Sequence, residues 1–134
     1  MDLSLTTIDN ITELLVKILE FTQRRHQILM QNIVDINLCG FVPKDLDVDN
    51  FADLMSQAIS EHLRSRRLLL CDSETTKFGV DGSFESLPVT DEHAKYLLEN
   101  DKTKYMEFQI EKLSENMLNS KIAAKLLGQK HSRV

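Results

Sequence analysis

Tyr105-Met106-Glu107-Phe108-Gln109-Ile110-Glu111-Lys112-Leu113-Ser114-Glu115-Asn116-Met117-Leu118-Asn119-Ser120-Lys121-Ile122-Ala123-Ala124-Lys125-Leu126-Leu127 is the stretch that decides the fold class. Met106, Ile110, Leu113, Met117, Ser120, Ala124 and Leu127 recur in it at alternating spacings of four and three, the heptad pattern of a seam between paired helices. Leu118, Ile122 and Leu126 make a second stripe, and Ala94, Leu98, Tyr105 and Phe108 extend the apolar surface upstream. Asp91 is placed to cap the start and Gly128 to end it, with Lys121, Lys125 and Lys130 near the negative end of the helix dipole. The spacing predicts one helix over about residues 91–127, about 55 Å long at 1.5 Å per residue.

A second long helix is expected over about residues 9–36. Asp9 or Asn10 offers an N-cap, with Glu13 completing a capping box. Ile11, Leu14, Ile18, Phe21 and Ile28 form its apolar stripe, interrupted by Arg25 and widened by Leu15, Leu19, Leu29 and Ile33. Gly40 and Pro43 then stop it. Between the two long helices, Phe51, Leu54, Met55, Ala58, Ile59 and Leu63 predict a shorter helix capped by Asp49 or Asn50 and ending near Arg66. Asp45-Leu46-Asp47-Val48-Asp49 reads as extended or loop, and Leu68-Leu69-Leu70 as a strand or the buried end of the middle helix. From Cys71 to Pro88, polar residues and the two glycines of Phe78-Gly79-Val80-Asp81-Gly82-Ser83 predict an exposed, mobile loop.

The expected fold is therefore all-α and a single domain over residues 1–134. Its long terminal helices pair as an antiparallel coiled coil, and the variable middle, 41–90, holds a short helix and a loop-rich segment. The carboxy-terminal helix carries more apolar surface than one partner covers, so a bundle or neighbouring subunits must bury the rest.

Composition narrows the function classes. The 134 residues include only four glycines, two prolines and no tryptophan, which disfavours turn-dense β architectures. Sixteen basic against 21 acidic residues give a net charge of −5, which makes the chain a poor candidate for non-specific binding to nucleic acid or anionic membrane. No apolar run is long enough to span a bilayer, and Met1-Asp2-Leu3-Ser4-Leu5-Thr6-Thr7 lacks the basic and apolar regions of a cleaved secretory signal. His26, His62, His93 and His131 are scattered, and Cys39 and Cys71 add no metal-ligand spacing. Asp45, Asp47 and Asp49 read as a solvated acidic stretch. Arg64, Arg66 and Arg67 form one basic patch, suited to the dipole at a helix end or to an acidic partner. No cofactor motif or catalytic constellation is present, so no enzyme is expected.

Asn32-Ile33-Val34-Asp35-Ile36-Asn37-Leu38-Cys39-Gly40-Phe41-Val42-Pro43-Lys44-Asp45 resembles the signature near the amino terminus of bacterial flagellar rod and hook axial proteins. In that family a helix ends in Asn-Ile-Ala-Asn before a Thr-Pro-Gly-Tyr-Lys turn. Asn32, Ile33, Gly40 and Phe41 match in register, and Lys44-Asp45-Leu46-Asp47 is similar to the continuation found in proximal-rod members. Glu99-Asn100, Tyr105 and Leu113-Ser114 resemble family positions near the carboxy terminus. Asp35, Leu38-Cys39 and Val42 depart from the pattern.

The resemblance implies a structural subunit of the basal-body rod, exported without a cleaved signal peptide. It implies assembly with other rod proteins, the rod–ring adaptor and the inner-membrane ring and export gate. Asn32, Ile33, Asn37, Gly40 and Phe41 would form the assembly turn. Gly40 supplies a positive φ, Phe41 folds back on the helix end, and Asn32 and Asn37 bridge freed backbone groups. Met106, Ile110, Leu113, Met117, Leu118, Ile122 and Leu126 would form the assembly seam. The alternative from another class is a cytoplasmic helical adaptor or secretion chaperone that holds a partner peptide.

Overall fold

The computed structural model describes residues 3–79 and 84–132, with side chains from 10 to 79 and from 84 to 129. It is mostly helical, with four short strands among the described residues. In order the elements are α1 (Leu3–Val34), β1 (Lys44–Asp45), α2 (Val48–Ser65), β2 (Thr76–Phe78), β3 (Phe84–Ser86), β4 (Val89–Thr90), α3 (Glu92–Asn100) and α4 (Lys102–Ser132).

Helix α1 begins at Leu3, so Asp9 and Asn10 lie inside it and do not cap it. Asn10 is buried instead, donating its amide to the carbonyl of Arg66 at 2.9 Å and facing His62 Nδ1 at 3.3 Å. That contact ties the start of α1 to the end of α2. Tighter three-residue turn bonds, from Ile36 N–H to the Ile33 carbonyl and from Leu38 N–H to the Asp35 carbonyl, replace the helical pattern after Val34. The turn closes at Gly40, where φ is 75°.

Helix α2 is capped two residues before the earlier of the expected positions, by Asp47, whose carboxylate accepts the Asn50 N–H at 3.0 Å. It ends at Arg66 in the left-handed region, φ 61°. Leu68-Leu69-Leu70 is neither strand nor helix. Leu68 and Leu69 are exposed, and Leu70 leans on the core.

The core lies between α1 and α2. Leu14, Phe21 and Ile28 recur every seven residues on α1 and meet Leu46, Phe51, Leu54, Met55 and Ala58. Phe21 and Phe51 stack with centroids 4.0 Å apart. The expected mobile loop contributes to this core: β2 and β3 form an antiparallel hairpin, Thr76 opposite Ser86 and Phe78 opposite Phe84. Phe84 lies 5.8 Å from both Phe51 and Phe78, so an aromatic chain runs from α1 into the hairpin. Composition hid this because two half-buried phenylalanines suffice to dock an otherwise polar segment. Val80, Asp81, Gly82 and Ser83 lie outside the described residues.

The expected helix over 91–127 is two helices. Asp91 caps α3 as anticipated, its carboxylate accepting Ala94 N–H at 3.0 Å. Asp101 then takes an extended conformation and caps α4 by accepting Lys104 N–H at 3.1 Å. The one-residue break folds α3 back on α4, bringing His93 edge-on to Phe108 with centroids 4.9 Å apart. A short polar residue that competes for backbone hydrogen bonds outweighs continuity of the apolar stripe here. At the other end Gly128 lies within α4, which runs to Ser132.

Helices α1 and α4 pack antiparallel. Asn32 of α1 meets Tyr105 and Gln109, Arg25 lies beside Glu115, and Thr22 meets Asn116.

Candidate assembly surface

Four of the residues that α4 presents to α1 are Tyr105, Gln109, Asn116 and Ala123, all buried. The predicted seam is displaced from this line by one position. Met106 and Leu113 are half-buried at its edge, and Ser120 and Leu127 likewise. Ile110 is 52% exposed, Met117 48%, Leu118 59%, Ile122 50% and Leu126 45%. At 100° per residue, Ile110 and Met117 fall on one flank of the contact line, Ile122 and Leu126 on the other, and Leu118 opposite it. The heptad pattern is legible in the sequence, but its apolar members lie at the edge of the contact or outside it.

Polar partners explain the displacement. Asn32 Nδ2 donates to Gln109 Oε1 at 3.0 Å and to the Lys44 carbonyl at 2.7 Å, while its Oδ1 accepts Lys44 N–H at 3.1 Å. Tyr105 Oη donates to the Asn32 carbonyl at 2.7 Å, and Asn116 Nδ2 to that of Thr22 at 2.7 Å. Each bond satisfies a buried group that would otherwise be stranded away from water. Burial and the nearby Asp91 charge push the Tyr105 hydroxyl up to about 12.

An ion-pair cluster lies beside this line. Arg25 grips Asp45 with two bonds, Nε to Oδ1 at 2.9 Å and Nη2 to Oδ2 at 3.0 Å. Lys112 Nζ bridges Asp45 at 2.8 Å and Asp91 at 2.5 Å. Two cations and two anions thus join α1, β1, the start of α3 and α4. Asp45 is only 6% exposed, which corrects its reading as a solvated acid. Burial alone would raise its pKa, but the hydrogen bonds and charges of Arg25 and Lys112 prevail and hold it below its ordinary value of 3.8. Asp91 also donates its backbone N–H to the Pro43 carbonyl, closing the β1–β4 ladder in which Asp45 faces Val89.

The predicted turn residues separate in role. Asn32 is buried and bridges backbone as expected. Ile33 is half-buried, whereas Asn37 is exposed and apart from the network that Asn32 joins. Gly40 has the positive φ anticipated. Phe41 turns toward the end of α1 and lines a cavity of about 440 Å³ with Ile28, Gln31, Asn32 and Pro88.

Sequence reasoning missed Arg25, Asp45, Gln109, Lys112 and Asn116. The available signal was Arg25 interrupting an apolar stripe, and a polar line at positions 109, 112 and 116 with the same four-and-three spacing as the apolar one. A second groove, about 470 Å³, lies between α1, α2 and α4, with Phe21, Met55, Ile59, Ile122 and Leu126 among its lining. Among the described residues, no three His, Cys, Asp or Glu side chains converge to hold a metal, and no helix is long and apolar enough to cross a membrane. Cys39 and Cys71 are both free thiols.

No known protein family, curated protein or solved structure matches this chain.

Proposed function

We propose that the chain is a non-catalytic structural subunit of the bacterial flagellar basal body, in the proximal rod, which self- and co-assembles through its terminal helices to transmit torque. One observation carries the assembly part of the reading. Helix α1 already covers one side of α4, yet Ile110, Met117, Leu118, Ile122 and Leu126 remain about half exposed around the rest. Aliphatic surface of that extent is a cost in water, at about 25 cal/mol per Å², and a gain in a packed lattice. Heterologous contacts that do not close generate open helical arrays, the geometry a rod requires. The flagellar assignment rests on the resemblance at Asn32, Ile33, Gly40 and Phe41, with the positive φ at Gly40 and the bridging by Asn32 as physical support. In this reading α1 and α4 continue as a coiled coil within the assembly. The partners are other rod proteins, the rod–ring adaptor and the inner-membrane ring with its export gate, reached by export without a cleaved signal.

The groove between α1, α2 and α4 favours a second reading, a cytoplasmic helical adaptor or secretion chaperone with a peptide bound there. Ile122→Asp separates the two. In a rod subunit it leaves a soluble, exportable monomer and blocks incorporation, because the charge becomes buried only on assembly. Amides of α4 should also gain hydrogen-exchange protection on assembly. A monomer with α4 already fully protected, and an Ile122→Asp variant that loses only peptide binding, would select the adaptor.

A further inference from the structure

The end of α2 carries a different surface, which neither reading uses. Arg64, Arg66 and Arg67 fall within four residues, and all three are exposed. Arg64 and Arg67 are held in place by one anchor. Glu61, buried in the last turns of α2, accepts Arg64 Nη2 at 2.7 Å, Arg67 Nη2 at 3.0 Å and Ser65 Oγ at 2.7 Å. Hydrogen bonds from Ser65, Arg64 and Arg67 hold its carboxyl down at about 2, so the anchor stays ionised. Both arginine side chains are nonetheless more than 70% exposed, 71% and 74%, leaving guanidinium edges directed to solvent. The left-handed Arg66 ends the helix between them.

Aliphatic residues interleave with these charges. Leu63 is 68% exposed, Leu68 39% and Leu69 40%. The antiparallel packing brings the last turns of α4 to the same end of the molecule, where Leu126 shares a groove with Ser60 of α2. Exposed Lys125 lies on those turns. The net charge of −5 does not govern this end, because charges beyond a Debye length, about 8–10 Å, are screened.

We infer that this end of the molecule, centred on Leu63, Arg64, Arg66, Arg67, Leu68 and Leu69, docks on an anionic phospholipid surface. The guanidinium N–H groups that Glu61 does not hold donate to lipid phosphates as fixed positive charges, while the leucines enter the boundary between headgroups and acyl chains. A bilayer supplies both chemistries side by side over an extended plane. A purely acidic peptide such as polyglutamate would pair with the arginines and leave the leucines in water. The inference does not depend on the rod assignment.

Co-sedimentation of the full chain with vesicles tests it. Binding is expected to vesicles containing phosphatidylglycerol and not to vesicles of phosphatidylcholine alone, and to fall steeply with added salt. Replacing Arg64, Arg66 and Arg67 by glutamine should weaken binding by at least about tenfold, since each basic residue near an anionic surface contributes separately. Glu61→Gln is included with that triple variant so that no buried carboxylate is left unpaired, and a melting curve confirms folding. Leu68→Ser with Leu69→Ser, which leaves the Glu61 anchor intact, should also weaken binding, and Arg64→Lys with Arg67→Lys should retain most of it. Failure to bind anionic vesicles, or binding unchanged in the arginine and leucine variants, would overturn the inference. Retention on polyglutamate without vesicle binding would overturn it too, and assign the patch to an acidic protein.

Discussion

Asn32 and Gln109, 77 positions apart, are joined side chain to side chain at 3.0 Å in the buried contact between α1 and α4. The bond fixes the register of the two helices, because the same Asn32 amide also holds both backbone groups of Lys44. Sliding α4 by one residue toward its apolar seam would strand Asn32, Gln109 and Asn116 together. A polar lock of this kind trades some stability for a single arrangement.

Replacing Asn32 by Leu should therefore cost about 1–3 kcal/mol, since the Lys44 backbone groups and the buried Gln109 side chain lose their partner. Urea unfolding followed by circular dichroism measures this. A variant as stable as the parent would show that the register is held elsewhere.

Asp45 predicts an acid limb. Its folded-state pKa lies below the ordinary 3.8, so its contribution is present above that value and is lost as pH falls further, through the folded pKa. Asp45→Asn should destabilise the protein at neutral pH by about 3 kcal/mol, because the buried Arg25 loses its two-bond partner while Lys112 keeps Asp91. The same variant should show a shallower loss of stability below pH 3.8, read from unfolding midpoints across a pH series.

Tyr105 predicts an alkaline limb of opposite sign. Its hydroxyl is raised from 10.0 to about 12 in the fold, so stability is intact below pH 10 and falls as pH rises toward 12. Tyr105→Phe should remove that alkaline dependence while costing about 1 kcal/mol at neutral pH for the lost bond to the Asn32 carbonyl.

The hairpin should contribute to stability, because Phe78 and Phe84 pack against the core. Phe84→Ala should cost about 2 kcal/mol, roughly half the value for a fully buried phenylalanine, since the ring is half-buried against Phe51. Replacing residues 74–85 by a Gly/Ser linker should cost more than this, and melting temperature tests both. Unchanged melting of the linker variant would separate the hairpin from the core.

At Gly40 a Cβ would meet nothing within 4 Å, so the penalty of substitution is the backbone alone, φ +75°. Gly40→Val should cost about 1–3 kcal/mol and Gly40→Asn distinctly less, because asparagine tolerates the left-handed region. Equal stability of the two variants, measured by urea unfolding, would remove the turn's conformation as the reason for glycine.

Periodicity alone determined that the chain is mostly helical, that its long helices lie at the two ends, and that α4 has more apolar surface than one partner buries. It also located the caps at Asp91 and the turn at Gly40, since those depend on contacts within a few residues. Tertiary structure alone decided which face of α4 meets α1, that Asp45 is buried between Arg25 and Lys112, that Asp101 folds α3 back, and that Phe78 and Phe84 dock a polar segment on the core. The division has a physical cause. Hydrophobic burial is non-directional and tolerates any apolar face, whereas a buried hydrogen bond or ion pair requires one particular partner, and those partners lie far away in the chain.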